Sequence, residues 1–291
     1  MKAPPFHYHA PDDLASAVAL LATLENARVL AGGQSLMPMM NLRLAGPDHL
    51  IDLGRIADLR RIEETPQGLR IGAMTTQRAL EKSDLVRRLC PLLAEAVALV
   101  GHQQTRNRGT LGGSLCHLDP GAELPVVAAA LDAVLHVAGP AGARRIAFRD
   151  FPLDYLTPSL APGEVLTHVD IARAPANSGA AFLEFNRRPA DFAIVSAAAT
   201  LTLGGDGRIT QVAIALGGVS HAPVRLAQAE AGLIGARASV SAWESAAHLA
   251  AQSPCDGDEL YPADYRQELS GVLVRRALAI ACQRAGGAAH V

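Results

Sequence analysis

Two diglycine turns set the frame for this chain: Ala31-Gly32-Gly33-Gln34-Ser35-Leu36 and, further along, Thr110-Leu111-Gly112-Gly113-Ser114-Leu115. A Gly-Gly pair lets the backbone take positive φ and approach a ligand with no Cβ in the way. Consecutive N–H groups in such a turn form an anion-binding nest, and the serine that follows adds a hydroxyl donor. Each turn precedes a helix-like stretch. One such loop reads equally well as an ordinary tight turn. Two of similar pattern point to a ligand with two adjacent anionic groups, most simply a diphosphate.

Neither loop has the GxGxxG spacing of a dinucleotide fingerprint, and no GKS or GKT sequence occurs. HExxH and GxSxG are absent as well, and no Asp/Glu pair stands in an obvious catalytic frame. No catalytic residue and no metal ligand is therefore assigned from motifs. Cys90, Cys116, Cys255 and Cys282 are scattered without a CxxC pair, so no iron–sulfur or zinc centre is expected from them. His7 and His9 lie in an extended terminus and read as surface residues. A net charge of −2 gives no electrostatic reason to expect nucleic acid or an anionic membrane as partner. No apolar run approaches the ~18 residues of a membrane span. The first residues lack the apolar core of a signal peptide. A cytoplasmic protein is expected.

The length of 291 residues suits about two domains. A helix opens at Pro11-Asp12-Asp13-Leu14, capped by Asp12 or Asp13 and ended by Asn26, and residues 27–30 form a strand into the first loop. Short strands at 50–53 and 69–73 flank a turn at Pro66-Gln67-Gly68. A helix spans Pro91 to Val100, and residues 101–109 read as a polar approach to the second loop. Another helix runs from Ala122 to Leu131, and a hairpin from Val134 to Phe148. Residues 173–179 are the linker, rich in turn formers. Beyond it come strands at 193–203 and 209–216, then helices at 224–234, 239–251 and from Ala263 to about Ala285. The result is two α+β domains, residues 1–178 and 179–291, with both diglycine loops in the first.

Residues 31–43, AGGQSLMPMMNLR, resemble the first FAD loop of the flavoprotein (medium) subunit of molybdenum hydroxylases, which include carbon monoxide and xanthine dehydrogenases. Residues 106–114, RNRGTLGGS, followed by DPGAELP at 119–125, resemble the second. A third match is RRPADFAIV at 187–195. The three stand in family order and cover nearly the whole chain.

This resemblance implies a two-part FAD-binding domain of the vanillyl-alcohol-oxidase/PCMH type, then a smaller C-terminal domain of antiparallel sheet and helices. It implies that Ala31, Gly32, Gly33, Gln34, Ser35 and Leu36 wrap one phosphate of FAD. Thr110, Leu111, Gly112, Gly113 and Ser114 wrap the other. Glu123 falls near the adenosine, as a partner for ribose hydroxyls, while Asp119 caps the helix that follows. Leu166 matches a position that touches FAD. Phe192 stands where relatives often place Tyr against the isoalloxazine, and Leu183-Glu184 where they often place Lys.

The implied role is an electron-transfer subunit of a heterotrimer. A large partner carries the molybdopterin cofactor, a small partner carries two [2Fe–2S] clusters, and two heterotrimers associate. Arg43, Arg55, Arg60 and Arg61 are either a solvated face or a docking surface for such a partner. Two other readings stand beside this one: a free-standing FAD-dependent oxidase or reductase, and a non-catalytic FAD-binding module.

Overall fold

The computed structural model describes residues 2–286; Met1 and residues 287–291, at the outer ends of the two expected domains, lie outside the described residues. The first part is a small parallel sheet. It contains β1 (His7–His9), α1 (Leu14–Thr23), β2 (Ala27–Leu30), α2 (Leu36–Asn41) and β3 (His49–Asp52), with strand order β1-β3-β2. Asp13 is the cap of α1, its carboxylate accepting from the Ser16 amide at 2.8 Å. The helix stops at Thr23, short of Asn26. Asn26 takes a left-handed φ of 48° and donates from Nδ2 to Asp48. Residues 49–52 pair in parallel with β1 and β2, not with 69–73 as the intervening turn suggested.

The second part is built on an antiparallel sheet. Strand β4 (Ile62–Thr65) turns into β5 (Gly68–Gly72). Six short helices follow: α3 (Gln77–Lys82), α4 (Asp84–Leu89), α5 (Pro91–Leu99), α6 (Gln103–Arg108), α7 (Leu111–His117) and α8 (Glu123–Ala130). The stretch expected as a polar approach, 101–109, is thus largely helical. The hairpin β6 (Val134–Gly139) and β7 (Gly142–Ala147) comes next. A ribbon of β8 (Pro152–Asp154) and β9 (Thr157–Pro158) leads to β10 (Val165–Ala172), and the sheet order is β4-β5-β10-β6-β7.

Period-two alternation sends Leu69, Ile71, Leu135, Val137, Val169 and Ile171 into a core shared with α5, α7 and α8. Arg70, His136, His168 and Asp170 alternate with them and take the other face.

The third part opens with β11 (Ser178–Phe185), β12 (Val195–Leu203) and β13 (Ile209–Gly217), antiparallel neighbours in that order. The segment expected to start a helix at Val224 instead gives the short strand β14 (Val224–Arg225) before α9 (Ala227–Leu233). Helices α10 (Val240–Ala251), capped by Ser239, and α11 (Ala263–Arg284) close over one face of this sheet. Its other face joins the first core through Phe182, Ala198 and Ala215. Glu95 accepts from the Phe182 amide at 3.1 Å, and Arg225 donates to the Ala129 carbonyl at 2.8 Å, so polar bonds also cross that junction. Among the described residues, no helix is long and apolar enough to cross a membrane.

Candidate cofactor site

The first diglycine loop runs between the end of β2 and the start of α2. Gly33 has φ +72°, a left-handed conformation that L side chains rarely adopt, so glycine is required there. The backbone N–H groups of Gly32, Gly33, Gln34, Ser35 and Leu36 have no hydrogen-bond partner among the described residues. Ser35 is the N-cap of α2, yet its hydroxyl makes no cap bond. Five successive free amides and a free hydroxyl form a donor array of the kind that receives phosphate oxygens.

The second segment differs from its expected form. Gly112 and Gly113 lie inside α7, in the first turn of the helix, and not in an open loop. Their amides are committed. Leu111 N donates to Thr75 O at 3.0 Å, Gly112 N to Ala73 O at 2.8 Å, and Gly113 N to the Thr110 hydroxyl at 3.0 Å. Ser114 N donates to Thr110 O at 3.1 Å. The expected nest is therefore absent at these four amides, because Thr110 caps a helix and the carbonyls of Ala73 and Thr75 take the rest. Glycine serves close packing here: a Cβ on Gly112 would fall 2.6 Å from the Ala73 side chain.

The two segments nevertheless meet. A Cβ on Gly32 would fall 2.2 Å from the Arg108 carbonyl oxygen, and one on Gly113 would stand 3.4 Å from Ala31 Cβ. The end of α6 and the start of α7 thus lie directly against the first loop. Residues 73–77, of which only Ala73 fell within an expected element, are the scaffold between them. Thr76 bridges to Thr110, and Gln77 N donates to Gly109 O at 2.8 Å. A Thr-Thr pair ahead of a short amphipathic helix is a capping signal, and Thr76 does cap α3.

Glu123 is the first residue of α8 and only 3% exposed. Burial pushes its carboxyl up to about 8, with Glu184 and Asp119 adding repulsion and Arg106 opposing it. Glu184 is likewise pushed up by burial, to about 7; its Oε1 accepts from Asn186 while its buried Oε2 has no partner among the described residues. Asp119 does not cap α8. Ala122 holds that position, and Asp119 instead accepts from the Gly121 amide at 2.9 Å, tightening the turn.

Phe192 is 63% exposed, and its Cβ packs over Gly121 in that same turn. Leu166 sits at an irregularity in the β10–β6 pairing, opposite Val137, and is buried in the core. Of the basic residues, Arg55 pairs with Asp12 at 3.8 Å, Arg60 donates to the Gly54 carbonyl, and Arg61 pairs with Asp58. Arg43 is exposed with a left-handed φ of 63°. Of the four, Arg55 and Arg61 face carboxylates, while Arg60 binds a neutral carbonyl. Cys90 and Cys116 are thiols raised to about 12 by burial, inert at neutral pH.

Residues 4–174 match the family described as the FAD binding domain in molybdopterin dehydrogenase. Residues 180–281 match the CO dehydrogenase flavoprotein C-terminal domain. The chain belongs to the FAD-binding flavoprotein family of the molybdenum hydroxylases. The medium chain of carbon monoxide dehydrogenase from Afipia carboxidovorans is 40% identical to this flavoprotein, over 96% of this chain and 98% of the relative. The alpha subunit of the 6-hydroxypseudooxynicotine dehydrogenase complex of Paenarthrobacter nicotinovorans is 38% identical, over 98% and 97% of the two chains.

Among solved structures, a cyanide-inactivated Cu,Mo-CO dehydrogenase chain superimposes with a TM-score of 0.94 at 39% identity, covering 98% of this flavoprotein and all (100%) of that chain. Quinoline 2-oxidoreductase from Pseudomonas putida 86 gives a TM-score of 0.93 at 38% identity, covering 98% and 99%. The free amides of the first loop fit the diphosphate of the FAD that the family binds.

Proposed function

We propose that this flavoprotein is the electron-transfer medium subunit of a heterotrimeric molybdenum hydroxylase. The run of five free amides from Gly32 to Leu36, held against α6 and α7, is the observation that carries the reading. In it, Ala31 to Leu36 hold one end of the FAD diphosphate through backbone donors and the Ser35 hydroxyl. Thr110 to Ser114 supply a close-packed wall at Gly113 and the hydroxyl of Ser114. Glu123 and Leu166 border the site, and Phe192 covers one side of the flavin. Bound FAD would take up electrons one at a time from the clusters and hold two for the acceptor, and the protein contributes placement and electrostatics.

The same reading divides the chain into a FAD-binding domain, residues 1–178, and a C-terminal domain, residues 179–291. A large subunit with the molybdopterin cofactor and a small subunit with two [2Fe–2S] clusters are its partners. Electrons leave this chain for an external acceptor. The exposed arginine face at Arg43, Arg55, Arg60 and Arg61 is offered to a partner. Two heterotrimers pair in a symmetric assembly in the cytoplasm.

Reconstitution tests the reading. The FAD-loaded chain alone, mixed anaerobically with substrate of the complex, stays oxidised; adding the large and small subunits gives rapid flavin reduction. Substrate-driven reduction of the isolated chain would instead establish a free-standing oxidase. Failure of any donor to reduce it in the full complex would leave a non-catalytic binding module.

A further inference from the structure

We propose that the outer face of the five-stranded sheet carries a divalent metal site formed by His136, His168 and Asp170, suited to a first-row ion such as zinc. One ligand atom from each of the three lies within 4.8 Å of the others. The sheet register makes the cluster. His168 of β10 stands opposite His136 of β6, and Asp170 follows on the same face two residues later, opposite Arg70 of β5. The two imidazoles stack with ring centroids 4.0 Å apart and an interplanar angle of 21°, so binding an ion turns at least one ring to bring both in-plane lone pairs to a common point.

The hydrogen bonds fix which nitrogens are available. The Thr167 hydroxyl donates its only proton to the His136 carbonyl, at 2.9 Å. It can therefore only accept from His168, so the Nδ1 of His168, 3.1 Å away, carries the proton. The lone pair of His168 is then on Nε2, which is buried and has no partner among the described residues. An imidazole nitrogen in that state is a metal ligand held ready.

His136 Nε2 lies 2.9 Å from Asp170 Oδ2. A carboxylate only accepts, so in the metal-free chain His136 donates there. When an ion takes that place, the ring exchanges its Nε2 proton for one on Nδ1 through solvent and presents the Nε2 lone pair to the metal. Arg70 grips the same carboxylate through Nε to Oδ1 and Nη2 to Oδ2, both at 2.8 Å, and sets its plane. Outer partners that orient a ligand in this way are a regular part of metal sites. Glu63 stands opposite Arg70 and Arg145 opposite His136, so the flanking charges balance. The side chains of His136 and Asp170 are 19% and 32% exposed, which gives the ion an entry path and a position for water.

The experiment is calorimetric titration of the chelator-treated, FAD-loaded chain with zinc, and with cobalt as a visible-band probe. One ion per chain is expected, with tetrahedral-type cobalt absorption and a melting temperature that rises with zinc concentration. His168→Ala and, independently, His136→Gln abolish both signals while FAD content is retained. Arg70→Ala weakens binding by about 10–100-fold as a positioning residue. Two outcomes overturn the proposal: no saturable zinc binding up to millimolar concentration, or one-to-one binding that survives in both histidine variants. The second would move the ion to the His7, His9 and His49 group, where His9 and His49 ring nitrogens stand 3.1 Å apart.

Discussion

Replacing Glu123 by Gln isolates the cost of a buried carboxyl at the start of α8. Glu123 is 3% exposed and its carboxyl is held at about 8 instead of its ordinary 4.5. At 1.4 kcal/mol per tenfold, the folded chain binds that proton about 5 kcal/mol more tightly than the unfolded chain. The sign follows. Between pH 4.5 and 8 the folded state holds a proton that the unfolded state has lost, so stability falls as pH rises and the loss is complete above 8. Integrated from pH 5.5 to 7.5, the wild type should lose about 2.5 kcal/mol relative to a variant with nothing to titrate. Glutamine keeps the shape and stays neutral. Urea unfolding of both proteins at pH 5.5, 6.5 and 7.5 reads the difference directly, because other titrating groups, Glu184 included, contribute to both curves. Parallel pH profiles for Glu123→Gln and wild type would show that Glu123 is ionised in the fold and refute the reasoning.

The first loop was legible because its signal is local. A positive φ at Gly33 and a serine before a helix are written in adjacent residues, and so was the Asp13 cap of α1. The second loop misled for a physical reason. Its amides are consumed by Ala73 and Thr75, residues about forty positions away whose approach no short-range pattern announces. The same non-locality explains the pairing of β3 with β1 and β2, whereas Asp119 misses the cap for a local reason: its carboxylate closes a turn onto the Gly121 amide two residues on. Val224 read as helical from its neighbours, but it finds an edge position beside Leu216 of β13. The resemblance to the flavoprotein family carried the fold class correctly. It could not say that Glu123 is almost wholly buried, which depends on how Asp119, Glu184 and Arg106 assemble around it. The sheet-face cluster was invisible because its members lie on two strands about thirty residues apart, and only the register brings His136, His168 and Asp170 together.

Further substitutions probe the rest of the structure. Gly33→Val forces a β-branched residue into a φ of +72° and sets its side chain against Leu30 and Met37, so the purified variant should lose its flavin; full yellow occupancy would remove the first loop from the site. Phe192→Ala, at a 63% exposed ring, should leave stability within about 0.5 kcal/mol of wild type and change the rate of flavin reoxidation by oxygen. An unchanged rate and spectrum would assign Phe192 to the surface alone. Arg266→Met tests the closure of the C-terminal domain, where one guanidinium on α11 donates to the carbonyls of Ile194 and Gly218 and pairs with Asp258. The first two bonds tie the helix to the start of β12 and the end of β13, in a region where the arginine side chain is only 13% exposed. Methionine keeps most of the apolar stem but strips two inward carbonyls of their donor, each worth about 1–3 kcal/mol. The expected loss is therefore about 2–5 kcal/mol in urea unfolding, with the FAD content of the folded fraction unchanged because these bonds lie outside the cofactor loops. A loss below about 1 kcal/mol would mean that water reaches both carbonyls and that apolar packing alone holds α11 to the sheet.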